Sequence, residues 1–73
     1  MYAIIDAPGY CGDYAKVYET HADRKAALAA KHKWGKSVIL ISGCHLAAGE
    51  KIGRGPMDAL LSGGNWHVVD LPD

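Results

Sequence analysis

The residues able to ligate a metal or attack a substrate are few: Cys11, Cys44, His21, His32, His45 and His67. A structural zinc site takes four ligands, commonly supplied as close pairs two to four residues apart. No such pair occurs, and the adjacent Cys44 and His45 would point to opposite faces of an extended strand. No metal or other cofactor is expected. A thiolate nucleophile would need a histidine within hydrogen-bond reach and donors for a developing oxyanion. Gly43-Cys44-His45 closes the most apolar stretch of the chain, so Cys44 with His45 or His67 defines an enzymatic alternative. No helix begins at Cys44 to depress its pKa. A small buried thiol and surface histidines account for the same residues without chemistry. The leading expectation is that the protein is not an enzyme.

Anion binding is a minor candidate. Gly49-Glu50-Lys51-Ile52-Gly53-Arg54-Gly55-Pro56 is glycine-rich and precedes a helix-forming segment, which brings Lys51 and Arg54 toward backbone amides. The phosphate-loop and dinucleotide patterns are both absent, and Pro56 removes one amide. The carboxylates Asp6, Asp13, Glu19, Asp23, Glu50, Asp58 and Asp70 are scattered, with no spacing that argues for acid–base work.

Docking is the stronger candidate. Arg24, Lys25, Lys31, Lys33 and Lys36, with His32, share a window whose one acid is Asp23. Leu28 falls inside this charged arc, as an apolar anchor ringed by cations would. Tyr14 and Tyr18 share a strand face with Lys16, and Tyr10 lies just before them. Exposed tyrosines can stack bases or join a protein interface, although no ribonucleoprotein motif accompanies them. The candidate partner-binding set is Arg24, Lys25, Leu28, Lys31, His32, Tyr14 and Tyr18. An ordinary solvated helix face, with tyrosines packed on lysine stems, is the competing explanation.

Composition narrows the rest. The chain has 73 residues, eight basic against eight acidic, and 49% hydrophobic content. That length holds one domain, residues 1–73, and excludes multi-domain enzymes and barrels. Neutral charge argues against a general nucleic-acid binder, and the apolar content excludes a disordered chain. No run approaches the roughly 20 apolar residues of a membrane helix, and Met1–Ala7 does not read as a secretory signal. Two cysteines are too few for a disulfide framework, so a reducing cytoplasm is the expected compartment.

The elements that must position these residues follow from periodicity and punctuation. Strands are expected at 2–7, 14–20, 37–43 and 66–71, with the turn formers of 8–13 making the first two a hairpin. A helix is expected over 22–34, opened by Thr20 with Asp23 and ended by Gly35. Its wheel sets Ala22, Ala26, Ala29 and Ala30 toward the sheet, with Ala27 and Trp34 at the margin and Arg24, Lys25, Leu28, Lys31 and His32 opposite. Trp34 and Trp66 are assigned to the core. Val38–Ile41 has no polar residue and needs cover on both sides or a dimer contact. Residues 44–52 read equally as a strand pair or a loop, 53–56 as a loop, and 56–62 as a short helix ended by Gly63. The order β-β-α-β-(β)-α-β gives an α+β fold: a small, mainly antiparallel sheet with one main helix packed on a face.

The expected function is a protein-binding module that docks on a larger partner. An accessory inhibitor of a host defence or nucleic-acid enzyme, of the phage or mobile-element kind typified by anti-CRISPR proteins, would be one instance. Nucleic acid is a less favoured partner, through the basic face of helix 22–34. No membrane partner is expected. A small core makes homodimer and monomer equally compatible with the sequence.

Overall fold

The computed structural model describes residues 1–7, 13–35 and 37–71. The turn expected at 8–12, with Tyr10 and Cys11, lies outside the described residues, as do Lys36 and the tail at 72–73. The elements run β1 (Tyr2–Asp6), β2 (Tyr14–His21), α1 (Arg24–Trp34), β3 (Val38–Ser42), β4 (Lys51–Gly53), α2 (Arg54–Ser62) and β5 (His67–Asp70). The five strands form one sheet in the order β4-β2-β1-β3-β5, antiparallel at every neighbouring pair. This is the α+β class expected from the sequence.

The topology explains why the helices lie where they do. β2 and β3 both run antiparallel to β1, so they are parallel to each other, and α1 connects them across β1. By the same logic β4 and β5 are parallel, and α2 connects the two edges of the sheet. Both crossovers travel the same way across the sheet from strands that point in opposite directions. Right-handed connection then requires the two helices on opposite faces. They are: Ile4, Val38 and Leu40 pack against Ala27 and Leu28 of α1. Ala3, Ile5, Ile39 and Ile41 pack on the other face with Met57 of α2, Cys44, Ile52 and Trp66. The aliphatic run Val38–Ile41 is buried because β3 is covered on both faces and paired on both edges.

Several expectations are corrected. β2 runs on through Thr20 and His21, and α1 starts at Arg24 with Asp23 as its cap, its carboxylate accepting from the Ala26 N–H at 2.9 Å. The second helix begins at Arg54 rather than Pro56, which leaves Pro56 in the first turn. Of residues 44–52, the chain around Gly49 and Glu50 exchanges two 2.8 Å backbone bonds with Val17 and leads into β4. Trp66 precedes β5 and is buried, its backbone N–H donating to the Leu60 carbonyl.

The largest correction is the rotation of α1. Ala22, Ala26 and Ala29 face solvent, while Ala27 and Lys31 are buried and Leu28 and Ala30 half-buried. Trp34 is 42% exposed rather than a core residue. Burial stabilises by apolar area, about 25 cal/mol per Å². Leu28 and the four-carbon stem of Lys31 carry more such area than the alanines they displace, so the longer side chains turn inward.

Gly43 ends β3 with a φ of +84°, and a Cβ there would lie 2.7 Å from the Asn65 carbonyl oxygen. Gly49 has a φ of +89° but open space around it. Gly49→Ala is expected to cost about 1–2 kcal/mol, the left-handed penalty alone. Gly43→Ala should cost clearly more, because the backbone at Asn65 must also move. Urea unfolding of the two variants checks the order.

Candidate functional site

The α1 side of the sheet gathers most of the polar side chains. A bulge in the β1–β2 pairing sets Ile4 opposite Glu19 and Ile5 opposite Val17, which makes Tyr18 the extra residue of β2 at that step. A bulge of this kind re-aims side chains, and here Tyr18 and Glu19 both engage groups on the α1 side. The Tyr18 hydroxyl donates to Asp6 Oδ1 at 2.6 Å, and the Lys16 backbone N–H donates to Asp6 Oδ2 at 2.9 Å. The Tyr18 ring lies 4.6 Å from that of Trp34, tilted by 35°. The Trp34 indole N–H donates to Glu19 Oε2, and Glu19 Oε1 lies 3.1 Å from His21 Nε2. The Trp34 and His21 bonds hold the Glu19 carboxyl below its ordinary value of 4.5. Its stabilising contribution is therefore present above that value and lost as the pH falls through the lowered folded one.

A second polar group ties α1 to the edge strand. Lys31 is fully buried, with its Nζ donating to the Leu71 carbonyl at 2.5 Å and facing Asp70 Oδ2 at 3.2 Å. His32 Nε2 stands 3.8 Å from the same carboxylate and pairs with it when protonated. A buried ammonium is tolerated because carboxylate and carbonyl replace its water. Val69, beside Asp70, packs on the α1 cluster.

The candidate docking residues therefore divide. Arg24, Lys25, His32 and Tyr14 are exposed. Lys31 is removed from the exposed set by its burial, and Leu28 and Tyr18 are half-buried against the core, so none of the three is a free anchor. What reaches solvent along α1 is Ala26 and Ala29 beside Lys25, His32 and Lys33, with Arg24 and Trp34 exposed at its two ends. Arg24, Lys25 and Lys33 have no ion-pair partner among the described residues. The carboxylates on this side are engaged internally: Asp6 by Tyr18 and Lys16, Glu19 by Trp34 and His21, Asp23 by the helix start, Asp70 by Lys31. The outward surface of α1 is thus positive although the chain is neutral. Asp6, Glu19, Lys16 and Trp34 are polar residues that the sequence reading did not join. A carboxylate closing the apolar run Ala3-Ile4-Ile5 was the available signal, since a buried Asp must find donors.

The other candidates sit apart. Cys44 is buried, its Sγ 3.7 Å from the Met1 carbonyl oxygen, and burial pushes its thiol above the ordinary 9.0. That is opposite to what a thiolate nucleophile requires. His45 and His67 are exposed. Lys51 is exposed, with its Nζ 4.7 Å from the centre of the Tyr14 ring. Arg54 is half-buried, and its backbone N–H is taken by the Asp13 carbonyl at 3.0 Å, which uses one amide that an anion would need. Among the described residues no cluster of three or more His, Cys, Asp or Glu could hold a metal, and no pocket opens. Comparison with known proteins returned no match to a family model, a curated protein or a solved structure.

Two outcomes follow. Asp70→Ala strands the buried Lys31 charge and is expected to cost about 3–5 kcal/mol. Lys31→Met keeps the packed stem and leaves an Asp70 side chain that is 32% exposed although its Oδ2 is buried, so it should cost less, as chemical denaturation would show. In a Cys11→Ser variant, Cys44 should react with an aromatic disulfide reagent more slowly than a peptide thiol in native buffer, and readily in urea. Fast native labelling would restore the enzymatic alternative.

Proposed function

We propose that the protein is a non-enzymatic docking module that engages an acidic surface of a larger protein through the outer face of α1. The observation that carries this reading is the arrangement along that face. Exposed Ala26 and Ala29 let a partner approach the helix closely, and Lys25, His32 and Lys33 border them. No acidic residue lies anywhere in Arg24–Trp34. Long-range attraction would come from Lys25 and Lys33, which have no ion-pair partner among the described residues, and would speed encounter more than it tightens the complex. Such a module acts as an adaptor, or as an inhibitor of the accessory kind that blocks a host defence or nucleic-acid enzyme by occupying its surface. The buried, protonated Cys44 thiol supports the non-enzymatic side of the reading.

The test is affinity capture from source-cell lysate with the wild type beside a Lys25→Glu/Lys33→Glu/Ala29→Glu variant. All three positions are exposed, so the variant should keep its fold, which circular dichroism verifies. One stoichiometric protein retained by the wild type at moderate salt and lost by the variant is the expected result. Equal retention by both, or none by either, overturns the assignment. Nucleic acid retained by the wild type without protein, lost as salt rises and also lost by the variant, would move this face to a nucleic-acid role.

A further inference from the structure

A second surface lies beyond the reach of α1, on the same side of the sheet. The pairing of Tyr14 with Gly53 and Lys16 with Lys51 sets Tyr14, Lys16 and Lys51 on one face, and Ala15 and Ile52 on the other, in the core. Tyr14 is 44% exposed, and Lys16 and Lys51 are exposed. Tyr18 continues the row and carries the Trp34 ring, itself 42% exposed. Along β2 the face therefore reads aromatic, cation, aromatic at two-residue steps, spanning about 13 Å at about 3.3 Å per residue. The lysine ammoniums lie near the rings, Lys51 4.7 Å from the centre of Tyr14 and Lys16 5.8 Å from that of Tyr18. Neither lysine has an ion-pair partner among the described residues, and both oxygens of Glu19 are already bonded.

We infer that this face binds single-stranded nucleic acid, with bases stacking on Tyr14 and Trp34 and phosphates meeting Lys16 and Lys51. Three observations favour that occupant over a protein. Lysine is depleted from the centres of protein interfaces, yet here it alternates with the rings. Aromatic faces bordered by cations match a polymer that alternates bases and phosphates, and the match does not depend on base identity. Among the described residues no pocket encloses this face, so it suits unpaired bases laid across a sheet rather than an enclosed small molecule. The exposed Asp13 and Glu50, just before β2 and β4, limit the positive charge. Stacking rather than charge must therefore lead the binding. The inference does not rest on the docking face of α1.

The experiment is fluorescence anisotropy of a labelled oligo-dT of about twelve nucleotides, within the usual span of such sites. The full chain is titrated to about 100 μM, the weak end of non-specific affinity. Saturable binding is expected. Tyr14→Ala should weaken it at least fivefold, the lower end of one stacked base, whereas Tyr14→Phe should leave it unchanged. Lys16→Ala and Lys51→Ala should each flatten the salt dependence by about 0.7 in log–log slope. A duplex of equal length and a polyglutamate peptide should bind more weakly than the single strand. No binding, or equal binding of duplex or polyglutamate with Tyr14→Ala silent, overturns the proposal. The second pattern would reassign the face to nonspecific cationic contact or to an acidic protein. All substituted positions are exposed, so loss of binding reads the surface and not the fold.

Discussion

A sheet whose middle strands are apolar on both sides must be covered on both sides, and that requirement organises this chain. Ile4 and Ile5 are adjacent in β1 and fully buried on opposite faces, as are Ile39 and Leu40 in β3. Two short helices and one irregular segment supply the cover. With antiparallel pairing throughout, right-handed crossovers leave one arrangement in which α1 and α2 lie on different faces. The edges then need holding. The Lys31 ammonium holds β5 through Asp70 and Leu71, while Val17 binds the chain before β4 through two backbone bonds.

Using polar groups as fasteners also shapes the surface. Asp6, Glu19, Asp23 and Asp70 spend their charge on Tyr18, Trp34, the start of α1 and Lys31. Among the described residues, Arg24, Lys25 and Lys33 on the outer face of α1 are then left without an ion-pair partner. Asp13, Glu50 and Asp58 are exposed elsewhere. A balanced count of charges therefore coexists with an uneven field, and fields, not totals, steer partners. A neutral sum by itself weakens the case for binding anions. It weakens it less once the acids are located.

The legible parts of the fold were those where one local signal dominated. The β1–β2 hairpin, the buried run Val38–Ile41 and the stop at Gly35 each follow from alternation, uninterrupted apolarity or a left-handed glycine. The wheel of α1 was misread because alanine counts as apolar whether or not it has area to bury. Leu28 and Lys31 turned the helix by their size, and so left the candidate surface. Residues 44–52 were ambiguous because their pairing partner, Val17, lies far away in sequence. The tyrosine–lysine row on β2 was visible as a pattern. Its neighbours Lys51 and Trp34 were not, since both arrive from other elements.

The amino-acid sequence by itself determined the class of fold, the stop of α1 at Gly35, the strand that needed double cover and the residue types available for docking. These depend on local periodicity and on backbone preferences that act over a few residues. The tertiary structure decided which side of α1 faces the sheet, which carboxylates are consumed internally and which cations remain. It also brought Lys51 and Trp34 to the tyrosines of β2 and withdrew Cys44 from solvent. Those outcomes depend on the total area and charge brought together by strands distant in sequence. No window along the chain contains that sum.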